Sequence, residues 1–207
     1  MFAKAEVVPL FPTCVWEYEV ADAADLNQEL ATAIESLRTS MPSQSRATGT
    51  WQSAGDLHDR QEFKRFMDVI ITAASGVLKY QRVRSEGIIV TNCWANVSFR
   101  GYAHHRHRHP NNLLSGVYYV KIPPRSGQIV FHDPRPQAGV LVPSFSEYTQ
   151  QNSAKHTFNV AEGCLLFFPS WLEHHVESHD AEEERISIAF NLVPKGRLGS
   201  ESGLLEL

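Results

Sequence analysis

From Gly87 to Val193 the chain breaks into seven short apolar runs: GIIVTNCWANVSF, LLSGVYYVKI, GQIVF, HTFNV, GCLLFFP, HHVES and RISIAFNLV. Gly, Pro, Asn or Asp clusters bound each run, which is the signature of strands joined by turns. No helical segments alternate with them, which argues against a doubly wound parallel sheet. Upstream the period changes. Leu26, Leu30, Ile34 and Leu37 recur at helical spacing over 23–40, with Asp22 or Asp25 available as a cap. Phe63, Met67, Ile70, Ala74 and Val77 or Leu78 form one apolar stripe over 60–80. Residues 6–20 are β-branched and aromatic but broken by Pro9 and Pro12, which predicts short edge strands. Residues 41–58 read as loop. The pattern predicts a mainly β fold with flanking helices, a sandwich or jelly roll backed by two N-terminal helices. No linker or repeat interrupts it. Residues 1–207 are therefore expected to form one domain, with its core strands at about 87–195.

Composition narrows the function classes. With 43% apolar and 20% charged residues, a chain of 207 residues can bury a real core. Nineteen Lys and Arg against 23 Asp and Glu give a net charge of −4, which argues against broad nucleic-acid binding. Cys14, Cys93 and Cys164 are odd in number and far apart, as expected for small core residues in a reducing compartment. No window approaches the roughly 18 apolar residues of a membrane span. MFAKAEVVPLFPT carries no signal-peptide pattern, so a cytoplasmic location is expected.

Histidine is the anomaly. Of 10 histidines, nine lie between His104 and His179. The first cluster is HHRHRHP. Alternate residues of an extended segment share a face, so His105, His107 and His109 are expected on one side and His104 on the other. The second cluster, FFPSWLEHHVESH, places His174, His175 and His179 just after a strand and a Pro-Ser-Trp turn. An isolated His-rich tract is as often a solvated loop as a site. Two such clusters, each beside a strong strand, favour a metal centre. Imidazole suits Fe, Zn, Cu and Ni alike.

Arg185 opens the alternating strand RISIAF eleven residues after His174. Ile186, Ile188 and Phe190 take one face; Arg185, Ser187 and Ala189 take the other. An arginine beside a serine makes a carboxylate clamp. Pairing with Glu182 or Glu183 at the surface is the plainer alternative. Asn96 is a polar residue in an apolar strand and faces either a ligand or solvent.

Five ordered motifs, His107-x-His109-Pro110, SGVYYV, GQIVFHDPR, LLFFPSWLEHHV and RISIAFN, resemble the 2-oxoglutarate/Fe(II)-dependent oxygenases. The specific resemblance is to a branch with SGVYYV and FPSWLEH motifs, akin to the prolyl 4-hydroxylase-like oxygenases. Upstream, LFPT and WQS also look like that branch. The resemblance implies a double-stranded β-helix (jelly roll) with Fe(II) at its open end and 2-oxoglutarate as cosubstrate. The family's His-x-Asp/Glu pattern falls on His107 and His109, and its distal histidine on His174. Its carboxylate-binding arginine falls on Arg185, with Ser187 beside it and Tyr119 or Tyr118 and Asn96 as further cosubstrate contacts. His109 stands where the family has an acid. The third metal ligand is then His109 itself, Asp133 of FHDPR as fallback, or water; His109 is preferred because it shares a face with His107. Three imidazoles would leave iron at its full +2 charge, which dianionic 2-oxoglutarate would neutralise.

The implied reaction consumes O2, hydroxylates an unactivated C–H bond and releases succinate and CO2. The substrate is expected to be a small molecule or a peptide, chosen by loops 41–60 and 136–156, the latter serving as a lid or rim. Arg135 would meet an anionic substrate at the mouth or pair within its loop. His105 and His175 would support the ligands or touch substrate, and Trp171 would pack. The oligomeric state is open, a homodimer being compatible. Two alternatives use the same histidines: a three-His thiol-type dioxygenase without 2-oxoglutarate, and a closed, non-catalytic metal-binding jelly roll.

Overall fold

The computed structural model describes residues 1–41, 45–46, 49–200 and 202–207. Two helices pack on one face of a large antiparallel sheet, and a smaller sheet covers its other face. The elements run β1 (Trp16–Glu19), α1 (Ala23–Ser40), β2 (Ser45–Arg46), β3 (Thr50–Gln52), α2 (Lys64–Tyr80), β4 (Gly87–Ser98) and β5 (His104–His107). They continue with β6 (Leu114–Lys121), β7 (Ile129–His132), β8 (Lys155–Phe158), β9 (Cys164–Pro169), β10 (His174–Val176), β11 (Arg185–Lys195), β12 (Arg197–Leu198) and β13 (Leu205–Glu206). The large sheet has the order β1-β9-β6-β11-β4-β3-β2 and the small one β5-β10-β7-β8. Sequence neighbours are split between two facing sheets, as in a jelly roll.

Alternation along the central strands builds two cores. One side of β4, β6, β9 and β11 presents Cys93, Ala95, Val97, Tyr118, Val120, Leu165, Phe167, Ile186, Ile188 and Phe190 to the helices. The stripes Leu26/Leu30/Ile34/Leu37 of α1 and Phe66/Met67/Ile70/Ala74/Val77/Leu78 of α2 fill that layer. The other side presents Val117, Tyr119, Leu166 and Phe168 to Ile129 and Phe131 of the small sheet. This second, thinner core floors the site. Gly116 holds the layers together: a Cβ there would lie 2.3 Å from the Phe190 ring and 2.6 Å from the Leu166 carbonyl.

Three expectations need correction. Within 6–20 only Trp16–Glu19 forms a strand, on the edge of the large sheet, and the proline-containing stretch before it is irregular and exposed. Residues 41–58 are not all loop, since β3 pairs with the end of β4 through Thr50↔Ser98 and Trp51↔Val97; residues 42–44 and 47–48 lie outside the described residues. Asp22 precedes α1 without capping it. Its backbone is left-handed (φ 56°), whereas a capping side chain needs extended backbone to reach the first N–H groups.

Candidate metal centre and cosubstrate pocket

His107, His109 and His174 converge at one end of the space between the sheets. One ring nitrogen from each lies within 4.8 Å of the other two. The pairing of β5 with β10 sets His174 opposite His107. It also contains a bulge: His174 to Val176 on β10 spans His107 to His104 on β5, three steps against two. A bulge reverses the facing of residues beyond it. His104 is therefore turned inward, its ring stacked on His107 at 4.3 Å, and His105 is turned out. The simple alternation had these two residues exchanged.

Backbone carbonyls fix two of the rings. His107 Nδ1 lies 2.7 Å from the His105 carbonyl and His174 Nδ1 lies 2.9 Å from that of Leu172. A carbonyl only accepts, so Nδ1 carries the hydrogen and Nε2 keeps its lone pair. This is the orientation a metal-ligating histidine needs. His109 packs against Trp94, ring centres 6.1 Å apart, and its ring makes no hydrogen bond among the described residues. Burial pushes His174 down to about 3, and His109 and His104 down to about 4. All three are neutral at pH 7, the form that binds metal.

Asp133 does not join the cluster. Its two oxygens accept from the Arg135 side chain at 2.9 and 2.8 Å, and Oδ1 also accepts the Arg135 backbone N–H. That pairing holds its carboxyl below the usual range and gives Arg135 a loop partner. His175 faces away from the site and meets His132, ring nitrogens 2.9 Å apart. His105 contributes through its carbonyl, not its ring. Trp171 is half-exposed instead of packed. Loop 136–156 begins with a 3-10 turn, Pro136–Gly139, and exposes Val140, Leu141, Val142 and Tyr148.

Deeper between the sheets, Arg185 is 4% exposed. Its guanidinium lies 5.2 Å over the Tyr119 ring and donates to Ser187 Oγ at 3.3 Å. Arg185 Nε and Tyr119 Oη have no hydrogen-bond partner among the described residues, and burial lowers the arginine and raises the phenol. Tyr118 is the helix-facing member of the pair; its hydroxyl donates to Asn27 at 2.7 Å. Asn96 lies opposite Ser187 and lines the same pocket. A buried cation without a carboxylate is costly unless something supplies the anion. Beside three imidazoles, the missing charge fits a bound carboxylate ligand.

Sequence reasoning missed Trp94, Ser98, Tyr102, His104 and His179, all of which line this pocket. Trp94 and Ser98 follow from Asn96 by alternation. His104 required the bulge. His179 and Tyr102 are brought together by backbone hydrogen bonds from His179 N to Tyr102 O and from Gly101 N to His179 O, contacts between segments remote in sequence.

Residues 92–191 match the family model described as "Putative 2OG-Fe(II) oxygenase". No curated protein matches the chain. Among solved structures the fold is similar to a prolyl-4-hydroxylase of Pseudomonas putida, with TM-score 0.64 and 17% identity, covering 89% of this chain and 94% of that one. It is also similar to HygX of Streptomyces hygroscopicus, solved with nickel and 2-oxoglutarate, with TM-score 0.60 and 11% identity, covering 88% and 83%. AviO1 of Streptomyces viridochromogenes aligns with TM-score 0.57 and 13% identity, covering 87% and 90%. At such identities the structural likeness concerns the fold. The family match covers just under half of the chain, spans all three converging histidines and Arg185, and with the jelly roll supports an oxygenase. More particularly, the matched family is the one described as 2-oxoglutarate/Fe(II) oxygenases, and the three-histidine cluster offers a site for its metal.

Proposed function

We propose that this protein is a hydroxylase of unactivated C–H bonds in which His107, His109 and His174 hold Fe(II) and Arg185 anchors 2-oxoglutarate. The observation that carries the reading is the pairing of three converging imidazoles with a buried arginine that has no acidic partner among the described residues. When bound, iron and 2-oxoglutarate together supply a strong oxidant from O2, with release of succinate and CO2. The chain's own residues bind, orient and enclose. Arg185 and Ser187 donate to the distal carboxylate of the cosubstrate. Tyr119 Oη, without another partner among the described residues, donates to the same ligand, and Asn96 borders it. Phe168, Val117 and Ile129 wall the site and exclude water. The carbonyls of His105 and Leu172 hold the imidazoles in the ligating tautomer. A small molecule or peptide is the substrate, selected at the rim formed by loop 136–156.

Anaerobic addition of Fe(II) and then 2-oxoglutarate to metal-free protein tests this. A visible charge-transfer band requiring both additions, weakened in Arg185→Ala but kept in Asp133→Ala, is expected. Iron binding without that band would discard the 2-oxoglutarate arrangement and favour the second reading. That reading, which the three-histidine donor set also suits, is a thiol-type dioxygenase in which Arg185 binds a substrate carboxylate.

A further inference from the structure

Beyond the metal cluster, the pocket-facing side of the large sheet ends in a row of four polar side chains, three of them buried and Asn92 partly so. Ser170 follows β9, Ser115 lies on β6, Asn191 on β11 and Asn92 on β4. Ser170, Ser115 and Asn191 are 0%, 1% and 2% exposed. Hydrogen bookkeeping gives the row a direction. Ser115 Oγ donates to Asn191 Oδ1 at 2.6 Å, so at the 2.8 Å contact between the two serines Ser170 is the donor. Asn191 Nδ2 then donates to Asn92 Oδ1 at 2.7 Å. A bulge places Thr91 beside the row, because Asn191 pairs with Asn92 while Leu192 pairs with Val90. Thr91 Oγ1 reaches Asn112 Oδ1 at 2.6 Å.

The row ends on the two turns that carry the histidines. The Ser170 carbonyl accepts the His109 N–H at 2.9 Å, and the Ser170 N–H donates to the Leu113 carbonyl at 3.1 Å. Asn112, pinned by Thr91, donates to the Pro110 carbonyl at 3.0 Å. The segment 109–113 is thus tied at three points to the FPSW turn and to β4. His107 and His174 each have a carbonyl on Nδ1, whereas the His109 ring has none. Its placement comes from its backbone.

We propose that Ser115, Ser170, Asn191 and Asn92 form a positioning relay that sets His109 as the third metal ligand. This rests on the three-histidine reading above. A strand end this deeply buried would pack equally well with apolar residues; four polar ones in series specify a single register for the turn.

The test titrates metal-free protein with Co(II), following its visible d–d bands and its dissociation constant, beside the melting temperature of the metal-free form. Ser115→Ala and the milder Asn92→Ala are compared with His109→Ala, and with Ser126→Ala, a buried serine bonded to the Pro123 carbonyl. Ser115→Ala should weaken Co(II) binding tenfold or more and move the bands toward those of His109→Ala. Asn92→Ala should shift both in the same direction by less, and Ser126→Ala should change binding less than twofold at a similar loss of melting temperature. Adding Ser115→Ala to His109→Ala should weaken binding less than twofold further, because the relay acts through that ring. If Ser115→Ala fails to fold, Asn92→Ala and Ser170→Ala carry the comparison. Unchanged bands and affinity in every relay variant, with His109→Ala impaired, would overturn the relay alone. Unchanged binding in both His109→Ala and His107→Ala would overturn the three-histidine reading itself.

Discussion

Arg185 concentrates the conflict between stability and function at the scale of a single residue. It is a buried cation with, among the described residues, no partner for Nε and no acid beside it. Replacing such a charge with an apolar side chain of similar length is commonly stabilising, by about 1–3 kcal/mol. Arg185→Met should therefore raise the urea midpoint of the ligand-free protein while weakening 2-oxoglutarate binding on the order of a hundredfold. Calorimetric titration and denaturation check the two halves separately, and a variant that loses stability would contradict the uncompensated burial. The histidines give a pH signature. Burial depresses His174 to about 3, and His109 and His104 to about 4, from 6.5. Between those values the unfolded chain takes protons that the folded one refuses. Stability is complete above about pH 6.5 and falls as pH drops toward the folded values, by about 1.4 kcal/mol per pH unit for each group. The urea midpoint of metal-free protein should decline steadily from pH 7 to 4.5. A flat profile would mean that the rings are not desolvated.

At the scale of the element, strand alternation and its interruptions decide what faces the pocket. RISIAF keeps its alternation although its pairing with β6 shifts register between Ile186 and Ser187, and its two faces are as the sequence implies: Arg185 and Ser187 inward, Ile186 and Ile188 toward the helices. HHRHRH is bulged, so inferring facing by counting alternate residues fails at His104 and His105. Nothing in a row of histidines and arginines marks where an extra residue will be absorbed, because the bulge belongs to the pairing with β10. Gly116 shows the opposite case, a local residue dictated by tertiary approach. Gly116→Ala should cost about 1–3 kcal/mol by overpacking, whereas Gly139→Ala, with nothing within 4 Å, should be near neutral. Comparing their thermal midpoints tests whether the β6–β9–β11 junction is as close as it stands.

Across the whole molecule, the metal cluster draws on β5, β10 and the segments beside them, and the arginine clamp on β11 of the facing sheet. A metal with a chelating cosubstrate would span both. Ligands that bind only the folded state add about 2.7 kcal/mol at a hundredfold excess over their dissociation constant. Fe(II) followed by 2-oxoglutarate, without oxygen, should raise the melting temperature in two increments, and Arg185→Met should abolish the second while keeping the first. Loss of both increments in that variant would separate Arg185 from a purely cosubstrate role.

The central strands, the two helices and their apolar stripes were legible in the sequence, and Arg185, His107, His109 and His174 stood out there as candidates that the fold brings into one pocket. Each rests on local information: a period of two or of 3.6, a turn cluster, an ordered set of motifs. The choice of Tyr119 over Tyr118 needed the sheet, since alternation says that one of them faces inward but not which. The exclusion of Asp133 needed its neighbour, because a carboxylate two residues before an arginine closes on it only when the turn brings Oδ1 and Oδ2 to the guanidinium. His104 needed the bulge, and the relay from Asn92 to Ser170 needed four strands in register. Local patterning fixes which face of a strand a residue occupies relative to its neighbours in sequence; pairing between distant segments fixes where that face points and what meets it there.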